Sequence, residues 1–136
     1  MMTIQKTYSP IDGSLYVERT QSDMEQIKSA LTVASEAQRD WKNLPLSDRK
    51  VFCSRAVEAF VENKAQISEE LCWQMGRPIR YAEGEVASFA DRSNYMVSIA
   101  DESLGSIELK EKPGFTRYIK REPLGVVLVI APWNYP

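Results

Sequence analysis

The chain has 136 residues, with 17 Lys+Arg against 19 Asp+Glu, a net charge of −2 and 43% hydrophobic residues. That is the size and make-up of one globular domain, too apolar for a disordered chain. Charges of both signs are interspersed without a basic stripe, which argues against nucleic acid and anionic membrane as partners. There is no His, so the chain has no His-based triad, His proton shuttle or His-ligated metal, and no metal site is expected. Cys53 and Cys72 form no C-x-x-C and suit neither a zinc site nor a disulfide framework. Reduced thiols in a cytoplasmic protein are the expectation.

The opening Met1-Met2-Thr3-Ile4-Gln5-Lys6 has no apolar core region, so no secretory signal is expected. The longest apolar run, Val126 to Ala131, is far too short to cross a bilayer. No internal repeat, low-complexity tract or G-x-G-x-x-G interrupts the chain.

Tyr8-Ser9-Pro10-Ile11-Asp12-Gly13-Ser14-Leu15-Tyr16-Val17 carries turn chemistry. Pro presets φ, and Asp-Gly supplies a side-chain acceptor and a positive-φ residue. Short flanking strands make this a surface hairpin. Ser22-Asp23-Met24-Glu25 has the spacing of a capping box with Ser22 as the cap. Met24, Ile27, Leu31, Ala34 and Trp41 then keep helical spacing, predicting an amphipathic helix that ends before Pro45. Ser47 is expected to cap a second helix with Val51, Phe52, Cys53, Val57, Phe60 and Val61 on its apolar side, and Cys53 as a buried small hydrophobe.

A third helix carries Ile67, Leu71, Cys72 and Met75 and stops at Gly76, two residues before Pro78. No cation is arranged to lower the pKa of Cys72 and no His exists to activate it, so it reads as structural rather than nucleophilic. A long fourth helix is predicted from about Ile79 to Glu102, with Val86, Phe89, Ala90, Ser93, Met96, Val97 and Ala100 on one side and Gly105 as its stop. Glu83, Glu85, Asp91 and Arg92 read as a solvated face with local ion pairs.

After Gly105 the period changes to two. Ile107 and Leu109, then Phe115-Thr116-Arg117-Tyr118-Ile119-Lys120-Arg121, alternate around a Lys112-Pro113-Gly114 turn. So charged a strand belongs at an edge or an interface. Pro123-Leu124-Gly125 breaks the chain, and the six apolar residues from Val126 to Ala131 read as a strand covered on both faces, as in a parallel α/β sheet. Such a strand needs neighbours and crossover helices, and none follows in these 136 residues. The closing Pro132-Trp133-Asn134-Tyr135-Pro136 falls at that strand's carboxyl end, where open α/β sheets hold ligands.

The segment from Arg121 through Pro-Leu-Gly-Val-Val to Pro132-Trp133-Asn134-Tyr135-Pro136 resembles a signature of the NAD(P)-dependent aldehyde dehydrogenase superfamily. The likeness extends over nearly the whole chain. Ser9-Pro10-Ile11-Asp12-Gly13 resembles the family's N-P-x-T-G turn. Ala37-Gln38-Arg39-Asp40-Trp41 with Leu44-Pro45-Leu46-Ser47-Asp48-Arg49 resembles A-x-x-x-W…L-P-x-x-x-R, and Met75-Gly76-Arg77-Pro78 resembles T-G-K-P.

The resemblance implies an α/β fold: the N-terminal segment of an aldehyde dehydrogenase-like protein, built from helices, an oligomerisation-arm strand and the first strand of a Rossmann-like sheet. It divides the chain into a hairpin and helices packing on the cofactor domain (1–104), arm strands (105–123) and the truncated first strand of the cofactor domain (124–136). It also implies oxidation of a small-molecule aldehyde to a carboxylic acid with NAD or NADP, through a Cys thiohemiacetal, in a homodimer or homotetramer.

By the same carry-over, the Asn134 side-chain amide donates to the oxygen that becomes anionic. A neutral amide stabilises that charge without surrendering a proton, and one such donor is typically worth roughly 3–4 kcal/mol. Ile130, Ala131, Pro132 and Trp133 would line the nicotinamide-ribose end of the cofactor cleft, largely through backbone, and Tyr135 would face the aldehyde pocket. The plain alternatives are an Asn that stabilises a turn beside Pro136, a strand end with its loop, and a core aromatic.

The family's nucleophilic Cys, general-base Glu, adenosine-ribose Lys and glycine-rich turn have no counterpart in these residues, and neither Cys53 nor Cys72 matches the nucleophile's motif. Gln74 stands where many relatives carry an acidic residue that helps hold a monovalent cation. The isolated chain is therefore expected to be inactive. The alternative reading is a non-catalytic module that self-associates or binds partners through unpaired strands.

Overall fold

The computed structural model describes residues 3–132. β1 (Ile4–Tyr8) and β2 (Leu15–Thr20) form the expected antiparallel hairpin, in register from Ile4 opposite Thr20 to Tyr8 opposite Leu15, with an irregularity between Thr7 and Tyr8. The turn closes as its residue types dictate. Gly13 sits at φ 75°, the Asp12 carboxylate accepts the Ser14 N–H at 2.9 Å, and the Ser9 N–H donates to the Ser14 carbonyl at 2.8 Å.

Four helices and a short fifth follow: α1 (Met24–Trp41), α2 (Leu46–Glu62), α3 (Lys64–Met75), α4 (Ile79–Ser98) and α5 (Ala100–Leu104). The capping box of α1 is real but lies one residue later than expected. Asp23 is the cap; its carboxylate accepts the Gln26 N–H at 2.8 Å, and the Gln26 side chain accepts the Asp23 N–H at 3.0 Å. Two side chains thus satisfy two donors that an uncapped first turn leaves open. Ser22 lies outside the helix, and Glu25 is one position too early to close the box.

Ser47 does not cap α2. Pro45 holds the cap position without a side-chain hydrogen bond, and the Ser47 hydroxyl donates to Asp48 at 3.2 Å. The long fourth helix breaks at Ile99 (φ −87°, ψ 0°), separating α4 from α5.

The core lies among α2, α3 and α4, where α4 contacts both of the others. Val57 of α2, Ser68 and Cys72 of α3, and Ala82 and Val86 of α4 are its buried residues. Ala82 is fully buried, and Val86 stands one turn further along the same face. Phe60 and Phe89 extend the contact, their rings 4.6 Å apart. The buried Ser68 hydroxyl bonds back to the Lys64 carbonyl at 2.7 Å, which removes the cost of an unpaired polar group.

Not every apolar stripe is covered. α1 has no buried residue; Met24, Ile27 and Leu31 are exposed, and Ala34 and Trp41 are half-buried. Cys53 is exposed, correcting the expectation of burial: it lies one turn before Val57 on the same side of α2, and Val57 is the residue of that helix that is buried. Glu83 and Glu85 make no pair within α4. Glu83 reaches Lys64 of α3 at 3.0 Å, and Glu85 pairs with Arg77 in the turn that precedes the helix.

α3 ends as its sequence predicts. Gly76 adopts φ 74°, and its N–H donates to the Cys72 carbonyl at 2.8 Å. The same glycine lets the hairpin approach, since a Cβ there would stand 3.1 Å from Pro10 Cγ. Parallel stacking of Tyr16 on Trp73, with centroids 6.1 Å apart, completes the docking of the hairpin onto α3.

β3 (Ile107–Glu108) pairs antiparallel with β4 (Tyr118–Ile119), and Lys112 bridges to Phe115 around Gly114 at φ 79°. The long alternating strand expected over 115–122 therefore contracts to two residues. Its alternation has no core to face: Phe115, Tyr118 and Ile119 are all more than half exposed. Val126 is a bend, and no regular element follows it in the described residues. The covered strand expected over Val126–Ala131 forms no ladder here, because a strand exists through its neighbours and the described residues supply none.

Candidate functional site

The expected site residues divide at Pro132. Trp133, Asn134 and Tyr135 lie outside the described residues. Ile130, Ala131 and Pro132 are described and exposed, Ile130 to 83%. They follow Gly125, whose φ of 102° turns the chain after Leu124, and an uncharged run through Val127, Leu128 and Val129. The three residues are exposed and lie in no regular element, so they form no cradle for a dinucleotide by themselves. An exposed, unpaired backbone offers N–H and C=O groups along its length, which is what a sheet neighbour or a ligand needs.

What holds the start of this segment is better defined. The Arg121 guanidinium donates to the Gly105 carbonyl at 3.0 Å, joining the end of α5 to the chain just after β4. Arg117 makes a second link, to the Lys110 carbonyl. Lys120 and Glu122 form an ion pair at 2.7 Å. Their hydrogen bond, and then their mutual charge, hold the Glu122 carboxyl below the usual carboxylate range and raise the Lys120 ammonium. Both groups are well exposed, so water screens the pair.

A groove of about 880 Å³ runs along this hairpin, lined by Leu109, Phe115, Arg117 and Tyr118 among others. A second, of about 520 Å³, lies against α3 beside Ile67, Glu70 and Gln74. Neither includes Ile130, Ala131 or Pro132.

Gln74 belongs to a side-chain chain that its position alone does not announce. Its amide donates to Glu70 at 2.9 Å and accepts from the Arg19 guanidinium of β2 at 3.4 Å, while Gln66 donates to the other Glu70 oxygen at 3.5 Å. The spacing of Gln66, Glu70 and Gln74, four residues apart each time, is the signal that marks one polar stripe on α3. Among the described residues, no three His, Cys, Asp or Glu side chains are grouped as a metal site, and no helix is long and apolar enough to cross a membrane.

Comparison with known proteins adds what three exposed residues cannot. Vanillin dehydrogenase of Corynebacterium glutamicum is 29% identical over 133 residues, covering 98% of this chain and 28% of the relative. The NADP-dependent glyceraldehyde-3-phosphate dehydrogenase of Bacillus halodurans, solved with NADP, superimposes with a TM-score of 0.86 at 29% identity, over 98% of this chain and 29% of that one. PnpE from a Pseudomonas species, solved also in complex with nicotinamide adenine dinucleotide, gives a TM-score of 0.88 at 27% identity, over 98% of this chain and 28% of its own. The chain thus spans somewhat more than a quarter of the length of these relatives, and its architecture is that of the N-terminal portion of their fold. The model of the aldehyde dehydrogenase family matches residues 2–136. With the hairpin, the helices and the Pro-Trp-Asn-Tyr-Pro ending all inside that match, this chain belongs to the aldehyde dehydrogenase family.

Proposed function

We propose that these residues serve a cytoplasmic, oligomeric enzyme that converts an aldehyde, NAD(P)⁺ and water into a carboxylic acid, NAD(P)H and a proton. The family match over residues 2–136 carries this reading, and the NADP and NAD complexes of the similar structures support the cofactor class. In it, residues 1–104 pack beside the cofactor domain, 105–123 form the arm through which copies assemble as a homodimer or homotetramer, and 124–136 begin the cofactor sheet.

This chain's chemical contribution is the Asn134 amide, donating to an oxygen as it becomes anionic while keeping its own protons. Tyr135 excludes water from the aldehyde pocket. Ile130, Ala131, Pro132 and Trp133 give one wall of the cofactor cleft. That wall closes only against other parts of the enzyme, so no step of the nicotinamide chemistry is assigned to it.

Asn134→Ala in the complete enzyme tests the central role. The expected result is a fall in kcat of about 10²–10³-fold with the fold intact, and an unchanged kcat overturns it. The isolated chain, having an oxyanion donor without nucleophile or base, is expected to form no NAD(P)H from simple aldehydes. Clear turnover in an absorbance assay refutes that division of labour.

A second reading rests on a separate observation. Val127, Leu128, Val129 and Ile130 are 61–83% exposed and uncharged, and unpaired β-prone segments recruit other chains. The isolated chain is expected to self-associate through them. Light scattering that finds a stable monomer at high micromolar concentration overturns this.

A further inference from the structure

We draw no further inference here: the strongest candidate, the exposed cluster of Tyr81 with the Arg77 and Arg80 guanidiniums at the N-terminal end of α4, carries no proposal because Arg77 already pairs with Glu85 and no second observation points to a ligand there.

Discussion

The α2–α4 bundle and the segment from Val126 to Pro132 are both rich in apolar residues, yet only the first is structured by its own neighbours. In the bundle, Val57, Cys72, Ala82 and Val86 are buried where α2, α3 and α4 pack. Past Gly125, Leu128 and Ile130 are each 83% exposed. Hydrophobicity is a tendency to leave water, and it becomes structure only where a partner surface is in reach. A helix satisfies its backbone from within and needs a partner for one stripe. A strand needs partners for its backbone, and one apolar on both sides needs cover for both faces as well. That asymmetry explains why the helices stand in this chain while the segment after Gly125 forms no ladder.

The comparison can be broken most sharply at the bundle. Ala82→Leu places three extra carbons where no surface is exposed, and a loss of about 1–3 kcal/mol is expected by urea denaturation. Leu128→Ala in the same chain is expected to stay within about 0.5 kcal/mol of the parent. A larger cost for Leu128→Ala would show that the segment is packed after all.

Next in size is the hairpin's docking point. Gly76→Val forces a branched residue to φ 74° and toward Pro10, with an expected loss of about 1–2 kcal/mol. An unaltered urea midpoint would mean that the hairpin is not held there.

The capping assignment is sharpened by a pair of variants. Asp23→Ala is expected to cost about 1 kcal/mol, whereas Ser22→Ala, outside the helix, is expected to leave the midpoint in place. The reverse ranking would return the cap to Ser22.

The smallest effect is in acid. The hydrogen bonds from the Ser14 hydroxyl and the Ser14 N–H hold the Asp12 carboxyl below its ordinary range. A group lowered on folding contributes stability above its unfolded pKa and loses it as pH falls through the folded value. Stability should therefore decline slightly less steeply below the ordinary carboxylate range in Asp12→Asn than in the parent. Identical acid limbs would remove the turn from the pH dependence.

Much of the fold was legible because its signals are local. Asp12-Gly13 specifies a turn, Gly76 a helix end, and three-four spacing marks each helix over many residues. The capping box slipped by one residue because Ser22 with Glu25 and Asp23 with Gln26 both have its spacing, and the folded helix uses the second pair. The exposure of Cys53, and of the stripe on α1, is of a different kind. Periodicity reports that a helix has an apolar side but does not name what covers it. The candidate site was legible only as a motif. Pro132-Trp133-Asn134-Tyr135-Pro136 identifies a family, whereas a catalytic role depends on where those groups stand relative to walls built elsewhere.

By itself, then, the sequence determined which segments coil, where the hairpin turns and α3 stops, and which family they belong to. Backbone hydrogen bonding within a turn and short-range sterics are encoded residue by residue. Only the tertiary structure decided that Gly76 admits Pro10, that Tyr16 stacks on Trp73, that Gln74 bridges Arg19 and Glu70, and that the aliphatic run before Pro132 stays exposed. The contacts among them join residues far apart in the chain, and their energy comes from surfaces that meet only once the helices have packed, while the aliphatic run stays exposed because no such surface among the described residues reaches it.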